Sequence, residues 1–298
     1  MCGIVGLFLK DASLQPELGS MLTQMLVTMT DRGPDSAGIA IYGTEVPGQA
    51  RLTVQSDNAQ HDFETLAADL SRALDTPVTG RVNGSHAVLS LSRDYSGAAR
   101  DMIRALRPDI RIMSDGDVIE IYKETGLPED VATRLSLAQM GGTHGVGHTR
   151  MATESAVTTE GAHPFSTGAD QCLVHNGSLS NHNALRRRLT REGIRIGSMN
   201  DTEVGAAYLT WRMREGAMLG EALESSLADL DGFFTFVVGT KDGFGVVRDP
   251  IACKPAVMAE TEQYVAFGSE YRALVSLPGI DTARVWEPEP ATVYFWNH

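Results

Sequence analysis

The sequence predicts an α+β layered domain rather than a doubly wound α/β domain. Short apolar segments typical of strands lie near both ends of the chain, and helical segments lie between and after them. No Gly-x-Gly-x-x-Gly motif follows a strand, and no phosphate loop with Lys-Ser or Lys-Thr is present. The motifs therefore give no support to nucleotide binding, and the grouping of strands at both ends favours the α+β class.

The N-terminal segment predicts a strand, a helix and a second strand. Ile4–Leu9 is apolar on both faces, as in a strand buried at the centre of a sheet. Apolar side chains at helical spacing follow and predict an amphipathic helix from about Pro16 to Thr30, with its methionines in the core: Leu18, Met21, Leu22, Met25, Leu26 and Met29. Residues 31–35 break this helix, and a strand is expected at Ser36–Tyr42.

Residues 44–142 differ from the rest and are expected to form an elaboration inserted into one domain that spans residues 1–298. Helices are predicted near Asp62–Leu74, Ser96–Leu106 and Pro128–Met140. The alternating segment Val118–Tyr122 predicts a strand.

Short strands return after residue 143. They are expected at Gly145–His148, Gln171–His175, Phe233–Val238, Gly243–Val247, Tyr264–Gly268 and Thr292–Trp296. Helices are expected near Asn183–Glu192, Thr202–Arg214 and Leu219–Asp229.

Composition and charge exclude several classes of protein. The chain has 298 residues, of which 42% are hydrophobic and 21% are charged, as in ordinary globular proteins. Its 25 basic and 38 acidic residues give a net charge of −13, which argues against general nucleic-acid binding and against docking on an anionic membrane. No apolar run approaches the ~18 residues that a bilayer span needs.

The cysteines indicate a reducing compartment. Cys2, Cys172 and Cys253 are far apart, without Cys-x-x-Cys spacing, so we expect no disulfide framework and no metal site. The apolar start of the chain is too short for a signal peptide and lacks a basic lead and a cleavage site. A cytoplasmic location is therefore expected.

Cys2 is the leading candidate for a catalytic nucleophile. If Met1 is removed, Cys2 carries a thiol and a free α-amine, whose reference pKa values of about 8.5 and about 7.7–8.0 allow proton exchange near neutral pH. One residue would then supply both nucleophile and base. The alternative is that a cysteine at this position has no function.

Three further motifs each admit a functional and a structural interpretation. Arg150, at the end of a strand, could grip a substrate carboxylate or form a surface ion pair. Asn176 and Gly177 could form an oxyanion hole or the turn of a plain hairpin. Asp201 could cap a helix or bind a substrate ammonium group.

Taken together and in order, the motifs resemble those of the class II glutamine amidotransferases, which are N-terminal-nucleophile hydrolases. The motifs are Met-Cys-Gly-Ile-Val-Gly at residue 1, Arg-Gly-Pro-Asp-Ser-Ala-Gly at Arg32, Gly-His-Thr-Arg at Gly147, Ala-His-Pro at Ala162, His-Asn-Gly at His175 and Asp-Thr-Glu at Asp201. The resemblance covers most of the chain outside residues 44–142 and implies a four-layer αββα sandwich.

The resemblance also implies a reaction and a set of site residues. Cys2 would attack the side-chain amide of glutamine and form a thioester, with release of ammonia and then of glutamate. The other implied roles are Asn176 and Gly177 as the oxyanion hole, Arg150 for the α-carboxylate, Asp201 for the α-ammonium, Thr153 and His163 in the pocket wall, and Arg32 as support of the N-terminal region.

Details of the sequence narrow the resemblance. Met-Ala-Thr-Glu-Ser from Met151, together with the long insertion, looks like the separate glutaminase-like subunit of glutamate-synthase-type systems such as N-methylglutamate synthase (methylamine–glutamate N-methyltransferase). No ammonia-consuming domain is recognised in the chain. We therefore expect a separate glutamate-synthase-like partner in a hetero-oligomer. This partner would carry FMN, with an iron–sulfur cluster as a further expectation, while this chain itself carries no cofactor.

Two other interpretations remain open at this point. The chain could be a catalytically silent scaffold or regulatory subunit that keeps the amidotransferase fold to dock a synthase. It could also be a stand-alone amidase of the wider N-terminal-nucleophile group.

Overall fold

Two β-sheets packed face to face, with helices outside each of them, form a four-layer αββα sandwich. The structure is a computed structural model and describes residues 2–152 and 156–298. The predicted fold class is confirmed.

The strands and helices are numbered in chain order. The strands are β1 (Gly3–Leu9), β2 (Ser36–Tyr42), β3 (Gln49–Gln55), β4 (Thr79–Asn83), β5 (His86–Ser92), β6 (Arg111–Gly116), β7 (Ile119–Thr125), β8 (His144–Arg150), β9 (Cys172–Leu179), β10 (Gly232–Thr240), β11 (Gly243–Arg248), β12 (Val257–Glu260), β13 (Tyr264–Gly268), β14 (Arg284–Trp286) and β15 (Val293–Asn297). The helices are α1 (Leu18–Thr28), α2 (Ala59–Phe63), α3 (Leu66–Leu74), α4 (Ser96–Leu106), α5 (Pro128–Arg134), α6 (His182–Arg191), α7 (Asp201–Arg214) and α8 (Leu219–Asp229).

The two sheets of the sandwich differ in size. The larger sheet has seven strands in the order β14-β12-β13-β1-β8-β2-β7, and the smaller has four in the order β15-β11-β10-β9. Helices α1 and α5 pack on the outer face of the larger sheet, and α6, α7 and α8 pack on the outer face of the smaller one. The start of β1 and the end of β8 lie side by side, because Gly3 pairs with Thr149.

Strand β1 is covered on both faces, which explains why its sequence is apolar at every position. Val5 and Leu7 point to the outer face and pack with α1, whereas Ile4 and Phe8 point inward and pack against the smaller sheet. Successive side chains of a strand point to opposite faces, so a strand covered on both faces is apolar throughout. The methionines of α1 lie in the outer core, as predicted.

Residues 49–116 form a separate unit, which we call the inserted module. Its sheet has the order β4-β5-β3-β6, and helices α2, α3 and α4 pack on it around a core of their own. The elaboration expected at 44–142 is therefore only partly separate, because β7 pairs with β2 in the larger sheet and α5 packs on that sheet.

Most elements outside the inserted module match their predicted bounds, and α4 matches its predicted range. The predicted helix 62–74 is two helices, α2 and α3, and the helix predicted to reach Met140 ends at Arg134 before a short 3-10 helix at Leu137–Gln139. Strands β3 to β6 were not predicted, and neither were β12 and β14. Strand β4 is exposed along most of its length, so it lacks the apolar alternation by which strands are identified.

A buried lysine on β7 ties the larger sheet to the segment that follows residue 156. The Lys123 Nζ donates hydrogen bonds to the carbonyl oxygens of Ala162 at 2.7 Å and Pro164 at 3.1 Å. It also lies 4.2 Å from the centre of the Phe165 ring. Burial lowers the pKa of Lys123 to about 7. The side chain thus anchors residues 160–165, which we call the anchored segment.

The anchoring lysine should make folding stability depend on pH above neutrality. The reference pKa of an unfolded lysine is about 10.4, so between about pH 7 and pH 10 the unfolded chain binds more protons at this residue than the folded chain does. Stability therefore rises with pH in this window, by at most about 1.4 kcal/mol per pH unit. In urea titrations from pH 7 to pH 9, we expect the unfolding free energy of the wild type to rise with pH relative to that of Lys123→Met. Parallel pH dependences would contradict the assignment.

Candidate active site

Cys2 directly precedes the first strand, β1, which begins at Gly3. Its side chain is half-buried, and its Sγ is 3.9 Å from the carbonyl oxygen of Met151. Gly3 follows because the backbone is crowded there: a Cβ at this position would lie 2.7 Å from atoms of both Met29 and Thr149. The glycine therefore leaves room for the neighbouring elements of the fold and holds residue 2 close to β8.

Two side chains from different parts of the fold bind the backbone of Cys2. The Arg32 Nε donates to the Cys2 carbonyl oxygen at 2.9 Å, and the Asn176 Nδ2 donates to the same oxygen at 3.1 Å. Arg32 is buried, and its Nη1 forms a 2.5 Å ion pair with Glu270. Arg272 forms a second ion pair with Glu270 at 2.7 Å. Residue 2 is thus fixed by a chain of charged contacts that reaches the end of β13.

Arg150 lies at the end of β8, beside Cys2. It pairs with Ser36 of β2 and is 8% exposed. Its Nη1 donates to the carbonyl oxygen of Ala156 at 3.4 Å. The backbone around it is held by Asp35, whose N–H donates to the Arg150 carbonyl oxygen at 3.0 Å and whose carboxylate accepts from the Ala152 N–H at 2.7 Å. The guanidinium therefore sits in a buried setting at the end of a strand.

Asn176 and Gly177 lie within a strand, so the hairpin turn that we considered for them is wrong. Strand β9 continues to Leu179, with Gly177 paired to Phe234 of β10. Gly177 has a φ of 145°, and a Cβ there would lie 2.0 Å from the Phe233 carbonyl oxygen. Only glycine adopts this conformation without strain. Asn-Gly predicts a turn by local preference, but sheet pairing extends through it.

Asp201 opens helix α7 but does not cap it. The cap is Asn200, whose side chain accepts a hydrogen bond from the Thr202 N–H at 2.9 Å, so the capping interpretation of Asp201 is wrong. The Asp201 Oδ2 accepts from the Leu179 N–H at 2.9 Å. Its Oδ1 is 3.8 Å from His175 Nδ1. Asp201 therefore joins the start of α7 to the end of β9, at a residue two positions after Gly177.

His163 belongs to a buried cluster of histidines behind Arg150. Its ring stacks on that of His148 at a centroid distance of 4.0 Å, and its Nε2 is 3.2 Å from Thr202 Oγ1. The same hydroxyl is 3.0 Å from His175 Nδ1. Burial lowers the pKa of His163 well below its ordinary value, that of His148 to about 3 and that of His175 to about 4. All three rings are therefore neutral at pH 7.

The structure brings most of the predicted site residues to one region. Arg32 and Asn176 contact Cys2 directly, Arg150 lies on the neighbouring strand, and Gly177 and Asp201 lie at the end of β9. His163 makes its contacts with His148, Thr202 and Phe165. Thr153 falls within residues 153–155, which lie outside the described residues.

Several residues of this region were not singled out from the sequence. His148 and His175 stand inside the motifs that named Arg150 and Asn176, and His148 precedes Arg150 by two positions on one strand, which places both on the same face. That spacing could have identified His148. Lys123 and Glu270 carry no local signal, because their partners are distant in the sequence.

Residues 2–152 and 156–298 contain neither a metal-binding cluster nor a membrane-spanning helix. No group of three or more His, Cys, Asp or Glu side chains is arranged to hold a metal ion in this part of the chain. No helix within it is both long and apolar enough to cross a membrane.

Comparisons with known proteins agree with the motifs. A family model described as "Glutamine amidotransferase domain" matches residues 148–276. The glutamine amidotransferase-like protein GlxB of Rhizobium meliloti (strain 1021) is 66% identical over 298 residues, which span 100% of this chain and 99% of that protein. An amidophosphoribosyltransferase of Methanocaldococcus jannaschii is 32% identical over 183 residues, which cover 60% of this chain and 38% of that protein.

A solved structure shows the same fold. Glutamine phosphoribosylpyrophosphate amidotransferase from B. subtilis, solved with ADP and GMP, superposes with a TM-score of 0.63 at 20% identity. The match covers 99% of this chain and 47% of that chain, and at this identity it shows the fold alone. The order of the motifs, the four-layer fold and the full-length match to the Rhizobium protein lead to one conclusion: this chain belongs to the class II glutamine amidotransferase family.

Proposed function

We propose that this chain is a glutaminase-type amidotransferase subunit in which Cys2 is the nucleophile. The observation that supports it most is that Arg32 and Asn176 both donate hydrogen bonds to the Cys2 carbonyl oxygen, beside the buried guanidinium of Arg150. A buried cation can bind a substrate carboxylate strongly and in a fixed orientation. The first residue of a processed chain is otherwise mobile, and here it is held next to such a cation.

The proposed reaction follows from these groups. The α-amine of processed Cys2 takes the thiol proton, and the sulfur attacks the carbon of the glutamine side-chain amide. The C–N bond breaks, the proton passes to the leaving nitrogen, and ammonia departs from a thioester. Water then attacks the thioester, releases glutamate and restores the thiol. The Asn176 amide and the Gly177 N–H would stabilise the oxyanion that forms in both steps.

The substrate would be held at its α-carbon, which carries two groups of opposite charge. Arg150 would bind the α-carboxylate and Asp201 the α-ammonium, with Thr153 and His163 contributing to the pocket wall. The neutral state of the buried histidines suits a site that accepts an uncharged amide, because a glutamate carboxylate there would find no added positive charge.

We also propose that the ammonia passes to a separate glutamate-synthase-like subunit that carries FMN, with an iron–sulfur cluster as a further expectation. N-methylglutamate synthase or glutamate synthase is the assembly that the sequence features favour. Full-length similarity to an amidotransferase-like protein, rather than to a longer fused enzyme, supports this arrangement.

Labelling of the three cysteines by a glutamine analogue with an electrophile at its γ-position tests the nucleophile. Cys172 is buried and burial raises its pKa to about 12, while Cys253 is exposed. We expect one adduct, on Cys2, in protein whose mass shows loss of Met1. Cys2→Ala should remove the adduct and lower glutaminase activity by at least about 10³-fold.

The matched control for this experiment is Cys253→Ala, which removes the exposed thiol and should be labelled like the wild type. Equal labelling of Cys2 and Cys253 would indicate unspecific alkylation. A folded complex with an unreactive Cys2 would support the silent scaffold instead.

Substitution of the candidate carboxylate-binding residue tests how glutamine is held. Arg150→Lys keeps the charge but loses the planar pair of donors, so the KM for glutamine should rise by about 10- to 100-fold. Alkylation of Cys2 by iodoacetamide, which needs no α-carboxylate contact, should keep its wild-type rate. The exposed Arg187→Lys is the control. If Arg150→Lys also slows the alkylation of Cys2 by iodoacetamide, Arg150 supports the fold around Cys2 and does not bind glutamine.

Nitrogen transfer tests the partner. The co-purified complex, given glutamine labelled in its amide nitrogen, should place the label in the product of the flavin-containing subunit. Glutaminase activity of the isolated chain should be lower than that of the complex. Release of all the label as free ammonia, at one rate with and without the partner, would contradict the proposal.

A further inference from the structure

A half-open cleft lies between the inserted module and the sandwich. Lys123 and Phe165 line it, but none of the described residues proposed to bind glutamine does. It has a volume of about 860 Å³. One wall is formed by α4 and β6 of the module. The other is formed by residues 165–168, the loop 193–198 after α6, and the end of α7. A space of this size accommodates a small molecule rather than only a simple ion.

Positive charge gathers in this cleft, although the chain as a whole carries a net charge of −13. Five arginines from four separate segments line it: Arg100, Arg104, Arg111, Arg195 and Arg214. These segments belong to both the module and the sandwich, so the charges meet only in the folded protein.

Two of the three acidic side chains that line the cleft, Asp115 and Glu203, are already engaged, and the third, Glu160, is exposed. Asp115 forms a 2.9 Å ion pair with Arg100 and accepts a hydrogen bond from Ser96. Glu203 accepts hydrogen bonds from the backbone N–H groups of Gly197 and Ser198. The five arginines therefore outnumber the three acidic residues of the cleft, two of which already have partners.

Arg104, Arg195 and Arg214 carry the excess charge. The carboxylate that pairs with Arg104 is that of Asp101, at 3.4 Å, and this side chain is 83% exposed. Burial and the nearby guanidinium groups of Arg195 and Arg100 lower the pKa of Arg104. Among the described residues, neither Arg195 nor Arg214 has a carboxylate within ion-pairing distance. The protein thus holds mutually repelling cations together in a half-enclosed space.

We propose that this cleft binds a small molecule that carries a phosphate group. Guanidinium groups form paired hydrogen bonds with phosphate oxygens, and several of them can surround one doubly charged group. A bound dianion would relieve the repulsion among the arginines. The concave shape and the strongly acidic character of the chain as a whole do not suit a nucleic acid. This site is independent of the proposed glutaminase reaction.

Calorimetric titration of the full chain with inorganic pyrophosphate at constant ionic strength tests the proposal. We expect one site with a Kd below about 1 mM. Arg195→Gln, on an exposed loop, and the double variant Arg104→Gln/Arg195→Gln should weaken binding by at least tenfold. Pyrophosphate should also raise the unfolding temperature of the wild type, because it binds the folded state, and should raise that of the variants less.

The matched control is Arg72→Gln on α3 of the same module, which is 79% exposed and changes the charge by the same amount. Its Kd should equal that of the wild type. Absence of binding, equal weakening in Arg72→Gln, or equally tight binding of citrate would each overturn the proposal. None of these results would bear on labelling of Cys2, so the two proposals can fail separately.

Discussion

The carbonyl oxygen of Cys2 is the contact on which the geometry of the candidate active site depends. Arg32 reaches it from the turn between α1 and β2, and Asn176 reaches it from the smaller sheet. Asn176 thereby links the smaller sheet to the residue that precedes the first strand of the larger sheet. Strand β1 is held between β8 and β13 and places that residue beside the end of β8. The two donors restrict how the residue can move.

Three buried, uncharged histidine rings lie in the region behind Cys2. The rings of His148, His163 and His175 connect β8, the anchored segment and β9 through the Thr202 hydroxyl. Because burial keeps these rings neutral, they can pack against each other without repulsion. Lys123 fixes the anchored segment from the other side by binding its carbonyl groups. The stacking of His148 on His163 and the two contacts of the Thr202 hydroxyl thus join β8, the anchored segment and β9 to the start of α7.

The family likeness and the individual features of the chain come from different parts of the sequence. The matched family model begins at residue 148, so Cys2, Arg32 and the inserted module lie outside it. The full-length relative in Rhizobium aligns over the module as well. The arginine-lined cleft forms where this module meets the sandwich, and it has no counterpart in the motifs that identify the family.

The sequence by itself determined the fold class, most elements of the sandwich and the residues gathered near Cys2, because apolar periodicity and ordered motifs are local signals. For Asn176 and Gly177 it left a hairpin turn open as one alternative, and this alternative is wrong because neighbouring strands pair through both residues. Only the tertiary structure decided the cap of α7, the exposed strand β4 of the inserted module, the partners of Lys123 and Glu270, and the convergence of Arg104 with Arg195. Each of these depends on contacts between residues far apart in the chain, and such contacts leave no pattern in the neighbouring sequence.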